Sequence, residues 1–259
     1  MMSYQKVLVE HGKIAKIILN RPEKRNALND VLLREIPQAL YELDQDDEVR
    51  VIILSGAGAG FCTGADMMFL MSNPGVMESR QQKTGVGNML AAIGKIGKIV
   101  IAQVHGFALA GGFGLAVTCD LTVASEETIL GLPEIKRALF PMNVMSPISR
   151  CMPRKRAIEL IFTGENITAK QAYEFGLVNQ VVPLAGLEQT TWKLAEKIAQ
   201  YSPATIRLGK NAFYTINDME YFKSFDYLVE MLTLTTLTED AQEGVKAFFE
   251  KRNPEWKGR

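Results

Sequence analysis

The spacing of apolar and polar residues alternates between two periods. Residues 5–9 and 14–19 are short β-branched and apolar runs separated by His11-Gly12-Lys13, which predicts a hairpin at the start of a sheet. From Asn29, an N-cap residue type, Leu32, Leu33, Ile36, Ala39, Leu40 and Leu43 recur at helical spacing as far as the acidic stretch 44–48. Pro37 sits inside this helix and predicts a kink, because its ring removes one backbone hydrogen bond. Val49 to Leu54 then reads as a buried strand running into the turn-rich Ser55-Gly-Ala-Gly-Ala-Gly60. Residues 72–88 are polar and rich in Gly, Ser and Asn, which predicts a mobile segment with a helix following to Ile96. Ile99–Val104 and Leu121–Ala124 read as two further buried strands. Strands that alternate with helices and end in Gly-rich turns predict an α/β architecture, with function gathered at the loops leaving the strands.

After Val182-Pro183 the strand signals stop and residues 185–250 read as several helices. There Phe222, Phe225, Val229 and Leu232 form an apolar stripe, which fits either an ordinary packed helix or a face that joins copies of the chain. The chain divides into a core over 1–195 and a helical region over 196–259, the latter a candidate for oligomerisation.

Composition narrows the classes. The 259 residues carry 29 Lys+Arg and 29 Asp+Glu, for a formal net charge of zero. That balance speaks against nucleic-acid or anionic-membrane partners, which call for a basic surplus. No run of about 18 apolar residues is present and the N-terminus lacks a signal peptide's apolar core, so the expected location is cytoplasmic. Cys62, Cys119 and Cys151 are too scattered for a disulfide framework, and no metal-ligand spacing accompanies His11 or His105. Asn166-Ile167-Thr168 fits a glycosylation acceptor only in a secreted chain.

Two glycine-bearing loops remain as candidate chemistry: Phe61-Cys62-Thr63-Gly64-Ala65-Asp66, and Gly106 to Gly114 with sequence GFALAGGFG. Neither matches a phosphate-binding GxGxxG or a Gly-Lys-Ser/Thr loop. Both offer backbone N–H groups at strand-to-helix turns, where a developing negative charge would be favoured; a tight turn alone explains either loop equally well. No serine occupies a Gly-rich elbow, which argues against a Ser-His-Asp hydrolase.

Taken in order, LNRPEKRNAL, FCTGAD, HGFALAGGFGLAVTCDLTVAS, GLPEIK and EGVKAFFEKRNPEWKG resemble the crotonase (enoyl-CoA hydratase/isomerase) superfamily over essentially the whole chain. The resemblance implies a spiral of ββα units with a C-terminal helical trimerisation region, forming a homotrimer or a hexamer of paired trimers. It implies a coenzyme A thioester as substrate and no metal or redox cofactor. The thioester oxygen would lie between the N–H groups of Ala65 and Gly111. Lys24 and Arg25 would lie near the adenosine phosphates, and the acyl-CoA would also meet Ala27, Thr63, Asp66, Met67, Leu109, Gly112, Pro133, Glu134, Met142 and Asn143. Lys251 and Arg252 match the family's terminal basic pair. Because the whole chain is neutral, an anionic CoA must be held by such local groups.

Family hydratases work with two glutamates. The second is present here as Glu134, and the place of the first is taken by Gly114. The flanks Leu132, Ile135, Leu139 and Phe140 predict an apolar wall that raises the Glu134 pKa. One carboxylate suits a double-bond isomerisation, with Glu134 as base and then acid. Two alternatives stay open: a 2-enoyl-CoA hydratase in which Asn143 positions the water, and a non-catalytic CoA-binding paralogue. Where hydratases carry a glycine-rich stretch this chain has Phe140-Pro141-Met142-Asn143-Val144-Met145, and Met67, Met68, Met71, Met142 and Met145 suit an adaptable acyl pocket.

Overall fold

In a computed structural model that describes residues 4–72 and 75–259, the chain opens with β1 (Val7–Glu10) antiparallel to β2 (Ile14–Leu19), the predicted hairpin. Helix α1 (Asp30–Gln45) follows, with the Asn29 side chain accepting from the Leu32 N–H, and it runs on through Pro37. Strand β3 (Val51–Gly56) leads to a five-residue helix α2 (Met67–Met71) and then α3 (Val76–Lys95). The units β4 (Ile99–Val104), β5 (Phe107–Leu109), α4 (Gly111–Thr118), β6 (Leu121–Ser125) and β7 (Ile129–Gly131) complete the centre. After them come α5 (Met145–Cys151), α6 (Arg154–Thr163), β8 (Asn166–Thr168), α7 (Ala169–Glu174) and β9 (Gln180–Val182). Four helices close the chain: α8 (Leu184–Ala199), α9 (Pro203–Ile216), α10 (Tyr221–Leu237) and α11 (Glu239–Glu250).

The main sheet has the order β1-β2-β3-β4-β6-β9 and is parallel apart from the first hairpin; a smaller sheet has the order β5-β7-β8. The continuous apolar runs of β3 and β4 follow from burial on both faces, since successive side chains alternate across a sheet. Ile52, Leu54, Val100 and Ala102 pack with α1, α3 and α4 on one side. Val51, Ile53 and Ile101 meet Leu187, Ala195 and Ala199 of α8 on the other. The boundary drawn at residue 195 thus falls inside a helix that packs on the sheet.

Two expectations are corrected. The polar stretch 72–88 is for the most part the first half of α3, beginning at Val76; Asn73 and Pro74 lie outside the described residues. Its exposed Met, Glu, Arg, Gln and Lys residues favour a helix without needing an apolar stripe. The stripe appears only at Met89, Leu90, Ala92 and Ile93, which are buried. The second correction concerns α10. It buries no residue fully within the chain, so Phe222 (74% exposed) and Leu232 (65%) are not core positions of an ordinary packed helix. The three-residue strands β5, β7 and β8, the last of them Asn166-Ile167-Thr168, had no sequence reading because they are too short to display a period.

A buried cluster fixes α9 against the sheet. Lys210 Nζ donates to Asp120 Oδ2 at 2.7 Å and to the Lys98 carbonyl at 2.7 Å, while the Tyr214 hydroxyl donates to Asp120 Oδ1 at 2.9 Å. The chain end is pinned by buried Asp240, which accepts from the N–H groups of Lys257 and Gly258 and from Ser202 Oγ. No described helix is long and apolar enough to cross a membrane.

Candidate active site

Two loops and a short 3-10 turn converge at one end of the strands. The first loop leaves β3 and returns along β5, where Cys62 pairs with Ala108 and the Leu109 N–H donates to the Cys62 carbonyl at 2.9 Å. Burial pushes the Cys62 thiol up to about 12, so it stays protonated and its Sγ–H donates to the Asn26 carbonyl at 3.1 Å. Further along, Leu28 N–H donates to the Gly64 carbonyl and Asp66 N–H donates to the Leu28 carbonyl, both at 2.8 Å. Alternation along this extended pair aims the Ala65 N–H away from Leu28.

The second loop supplies the other donor. Ala110 is held at φ 52° and ψ −127°, with its N–H on the Gly131 carbonyl at 2.8 Å. Gly111 is then the first residue of α4, whose opening N–H groups have no partner within the helix. Neither the Ala65 nor the Gly111 N–H has a backbone acceptor among the described residues. The two segments touch because Gly64, at φ +89°, has no side chain: a Cβ there would lie 2.6 Å from Ala110 Cβ and 2.9 Å from Gly111 N. A Cβ on Gly111 would lie 3.8 Å from Ala65 N, so the two donors border one small volume.

Asn26 locks the entry loop to these segments. This fully buried residue, at φ 54°, donates its amide to the carbonyls of Ala57 (2.9 Å), Gly60 (3.0 Å) and Phe61 (3.1 Å). Its Oδ1 accepts from Arg21 N–H at 2.9 Å. Arg21 in turn pairs with Asp66 at 2.7 Å and holds that carboxyl below the usual range. Asp66 is thereby committed to a structural pair, and to capping α2 through the Met68 N–H. Sequence reading missed Asn26 and Arg21; the one local signal is a short polar residue at the end of a basic turn, where positive φ is tolerated.

Glu134 lies in the 3-10 turn Pro133–Arg137. Burial is the main cause that raises its pKa, opposed by its own backbone N–H and by the Arg137 charge. Its Oε2 is buried without a hydrogen-bond partner. A carboxylate that must be ionised to accept a proton therefore titrates above the ordinary glutamate value of about 4.3. If Glu134 is the base, the acid limb of kcat/KM lies above that value and activity falls as pH drops through it. A pH profile checks this, and a limb at or below pH 4 contradicts it.

One cavity of about 1590 Å³ collects these groups. Lys24, Arg25, Ala27, Thr63, Ala65, Asp66, Met67, Leu109, Gly111, Pro133, Glu134, Met142 and Asn143 all line it. Gly112 does not: it is packed against Cys62, whose carbonyl a Cβ would strike. Met68 joins the lining, whereas Met71 and Met145 are absent from it. Asn143 donates its amide to the Lys83 carbonyl at 3.2 Å and lies with Oδ1 3.5 Å from where a Gly87 Cβ would be. Gly114 faces Val144, whose methyl carbons lie 2.7 and 2.9 Å from a Cβ built there. Arg252 is engaged locally with Glu243 and Glu250, and His105 Nε2 meets the Gly58 carbonyl at 2.9 Å.

This α/β architecture, a mixed main sheet flanked by helices, is that of crotonase-fold proteins. The solved enoyl-CoA hydratase of Mycobacterium smegmatis superposes with a TM-score of 0.93 at 31% identity, covering 97% of this chain and 99% of that one. The profile of the enoyl-CoA hydratase/isomerase family matches residues 10–259, and the chain belongs to that family, an enzyme of the lyase/isomerase type. A probable mitochondrial enoyl-CoA hydratase of Dictyostelium discoideum is 36% identical over 250 residues, 95% of this chain and 88% of its own length. A putative enoyl-CoA hydratase of Thermus thermophilus is 34% identical, with 96% and 99% covered. Since the relatives include a mitochondrial protein, they lend no support to the cytoplasmic expectation.

Proposed function

We infer that the protein moves a double bond in an acyl-CoA thioester from the 3- to the 2-position, with Glu134 as the single proton carrier. The observation that carries this reading is at Gly114. Val144 fills the space beside it, so an apolar side chain stands where a second carboxylate would project. The other acids lining the cavity are already paired, Asp66 with Arg21 and Asp30 with Arg34. Glu134 is the acid among them without an ion-pair partner among the described residues.

The proposed reaction uses each group once. Ionised Glu134 takes a proton from C2 of the 3-enoyl thioester, and the C–H electron pair delocalises onto the thioester oxygen as a dienolate. The N–H groups of Ala65 and Gly111 stabilise that charge; one such donor is typically worth about 3–4 kcal/mol of barrier. Protonated Glu134 then returns the proton at C4, the double bond settles between C2 and C3, and Glu134 is again ionised. Lys24 and Arg25, which have no ion-pair partner among the described residues, hold the CoA phosphates. The exposed stripe of α10 is the face on which a second and third copy would assemble.

Water addition is the rival, and the names of the relatives point to it. It needs a group to hold the water, and Asn143, anchored by one amide N–H on the Lys83 carbonyl, is the lining residue that could do so with its Oδ1 or its second N–H. A panel of 2-enoyl- and 3-enoyl-CoA thioesters of several chain lengths in deuterated water, with products read by mass, separates the readings. Deuterium at C2 or C4 without water addition is the expected result. A 3-hydroxyacyl product from the 2-enoyl substrates would replace this reading by hydration, and binding without turnover would leave a non-catalytic protein.

A further inference from the structure

Five cations line the cavity without an ion-pair partner among the described residues: Lys24, Arg25, Arg80, Lys83 and Arg137. The first two lie on the entry loop, the CoA end of the proposed pose. The other three belong to different elements, Arg80 and Lys83 to α3 and Arg137 to the turn that carries Glu134.

Arg137 follows Glu134 by three residues in a 3-10 turn, whose i and i+3 side chains eclipse on one face. Two groups on one face that both line the cavity would ordinarily pair. Here they do not: Glu134 Oε2 has no partner, and Arg137 forms no ion pair within reach of any described acid. The guanidinium thus lines the same cavity as the carboxylate, and its charge acts on it, without an ion pair between them. The reacting carbons C2 to C4 must lie against Glu134, so a cation in the same turn that lines the same cavity stands near the acyl part of the substrate, apart from Lys24 and Arg25 on the entry loop. Arg80 and Lys83 of α3 line the same cavity, and the Lys83 carbonyl accepts from the Asn143 amide of the Phe140–Val144 segment. The three cations are solvent-exposed, and Lys83 Nζ also donates to Ser79 Oγ; a purely hydrocarbon acyl tail offers them no partner, whereas a terminal carboxylate does.

We propose that this cavity takes acyl-CoA thioesters whose acyl chain ends in a carboxylate, with Arg137 as the residue that selects them and Arg80 and Lys83 assisting. A guanidinium matches a carboxylate through two parallel N–H···O bonds, which a lone ammonium cannot copy. This proposal rests on the acyl-CoA reading above but is indifferent to isomerisation or hydration, because it concerns binding.

The test is equilibrium binding of saturated thioesters to the full-length protein, comparing glutaryl-CoA with pentanoyl-CoA and adipoyl-CoA with hexanoyl-CoA. The expected result is about tenfold tighter binding of the dicarboxylic member of a pair. In Arg137→Gln the gap should vanish while pentanoyl-CoA affinity is kept, and Arg137→Lys should restore part of it. Equal affinities within each pair, or a gap that survives Arg137→Gln, would overturn the proposal and leave the acyl-CoA reading standing. Equal weakening of both members by Arg137→Gln would assign Arg137 to the CoA phosphates and overturn it as well. If none of the four thioesters bound, the acyl-CoA reading itself would fall and this proposal with it.

Discussion

Replacing Glu134 with glutamine is expected to lower turnover of a 3-enoyl-CoA by about 10³-fold, within the range that a positioned proton carrier supplies. The amide keeps the size and the buried setting of the carboxyl but cannot accept the C2 proton. Binding of a saturated acyl-CoA should be unchanged, because the handle and the paired donors are untouched. A stability effect accompanies the kinetic one. Burial raises the Glu134 pKa above its unfolded value, so the native state holds a proton that the unfolded chain has released. Between those two pKa values stability therefore falls as pH rises, and the ionised side chain weighs against folding at pH 7. Glu134→Gln should unfold no earlier than the parent at pH 7, so a lost rate cannot be blamed on misfolding. Full activity in this variant would remove Glu134 from the mechanism.

The second large effect lies at a residue that makes no contact with the acyl group. Gly64→Ala places a methyl 2.6 Å from Ala110 Cβ, 2.9 Å from Gly111 N and 2.9 Å from the Leu109 carbonyl. All three belong to the opposite loop, so the only relief is separation of the two segments that carry the donors. The backbone at φ +89° adds strain, about 1–3 kcal/mol for a non-glycine residue. Turnover should fall about 10²- to 10³-fold, the cost of losing one preorganised donor, with a lowered unfolding temperature. Gly209→Ala is the control: this exposed helical glycine has nothing within 4 Å of a new Cβ, and it should keep both rate and stability. If Gly64→Ala retained parental turnover, the Ala65 and Gly111 donors would not be the oxyanion site.

Much of the scaffold was legible because burial leaves a pattern. β3 and β4 read as apolar runs since both faces are covered, and α1 announced itself through Asn29 and a clean stripe. The first half of α3 was not legible, because it is solvent-exposed and held by helix propensity rather than by a stripe. The motif loops located Ala65, Gly111 and Glu134, yet no local pattern says that Gly64 must lack a side chain to bring them together. Gly112 looked like a lining residue from its place in the loop, and its role is close packing on Cys62. Asn26 and Val144 owe their roles to contacts with segments distant in sequence, so composition and spacing could not single them out.

The central claim, that one carboxylate carries one proton from C2 to C4, is tested most directly with a 3-enoyl-CoA dideuterated at C2. The substrate is turned over once in ordinary water and the product is sequenced by mass. The account predicts a 2-enoyl-CoA in which part of the lost deuterium reappears at C4, with no such product from Glu134→Gln. Deuterium transfer that persists in Glu134→Gln, or a product formed only by addition of water, would contradict it.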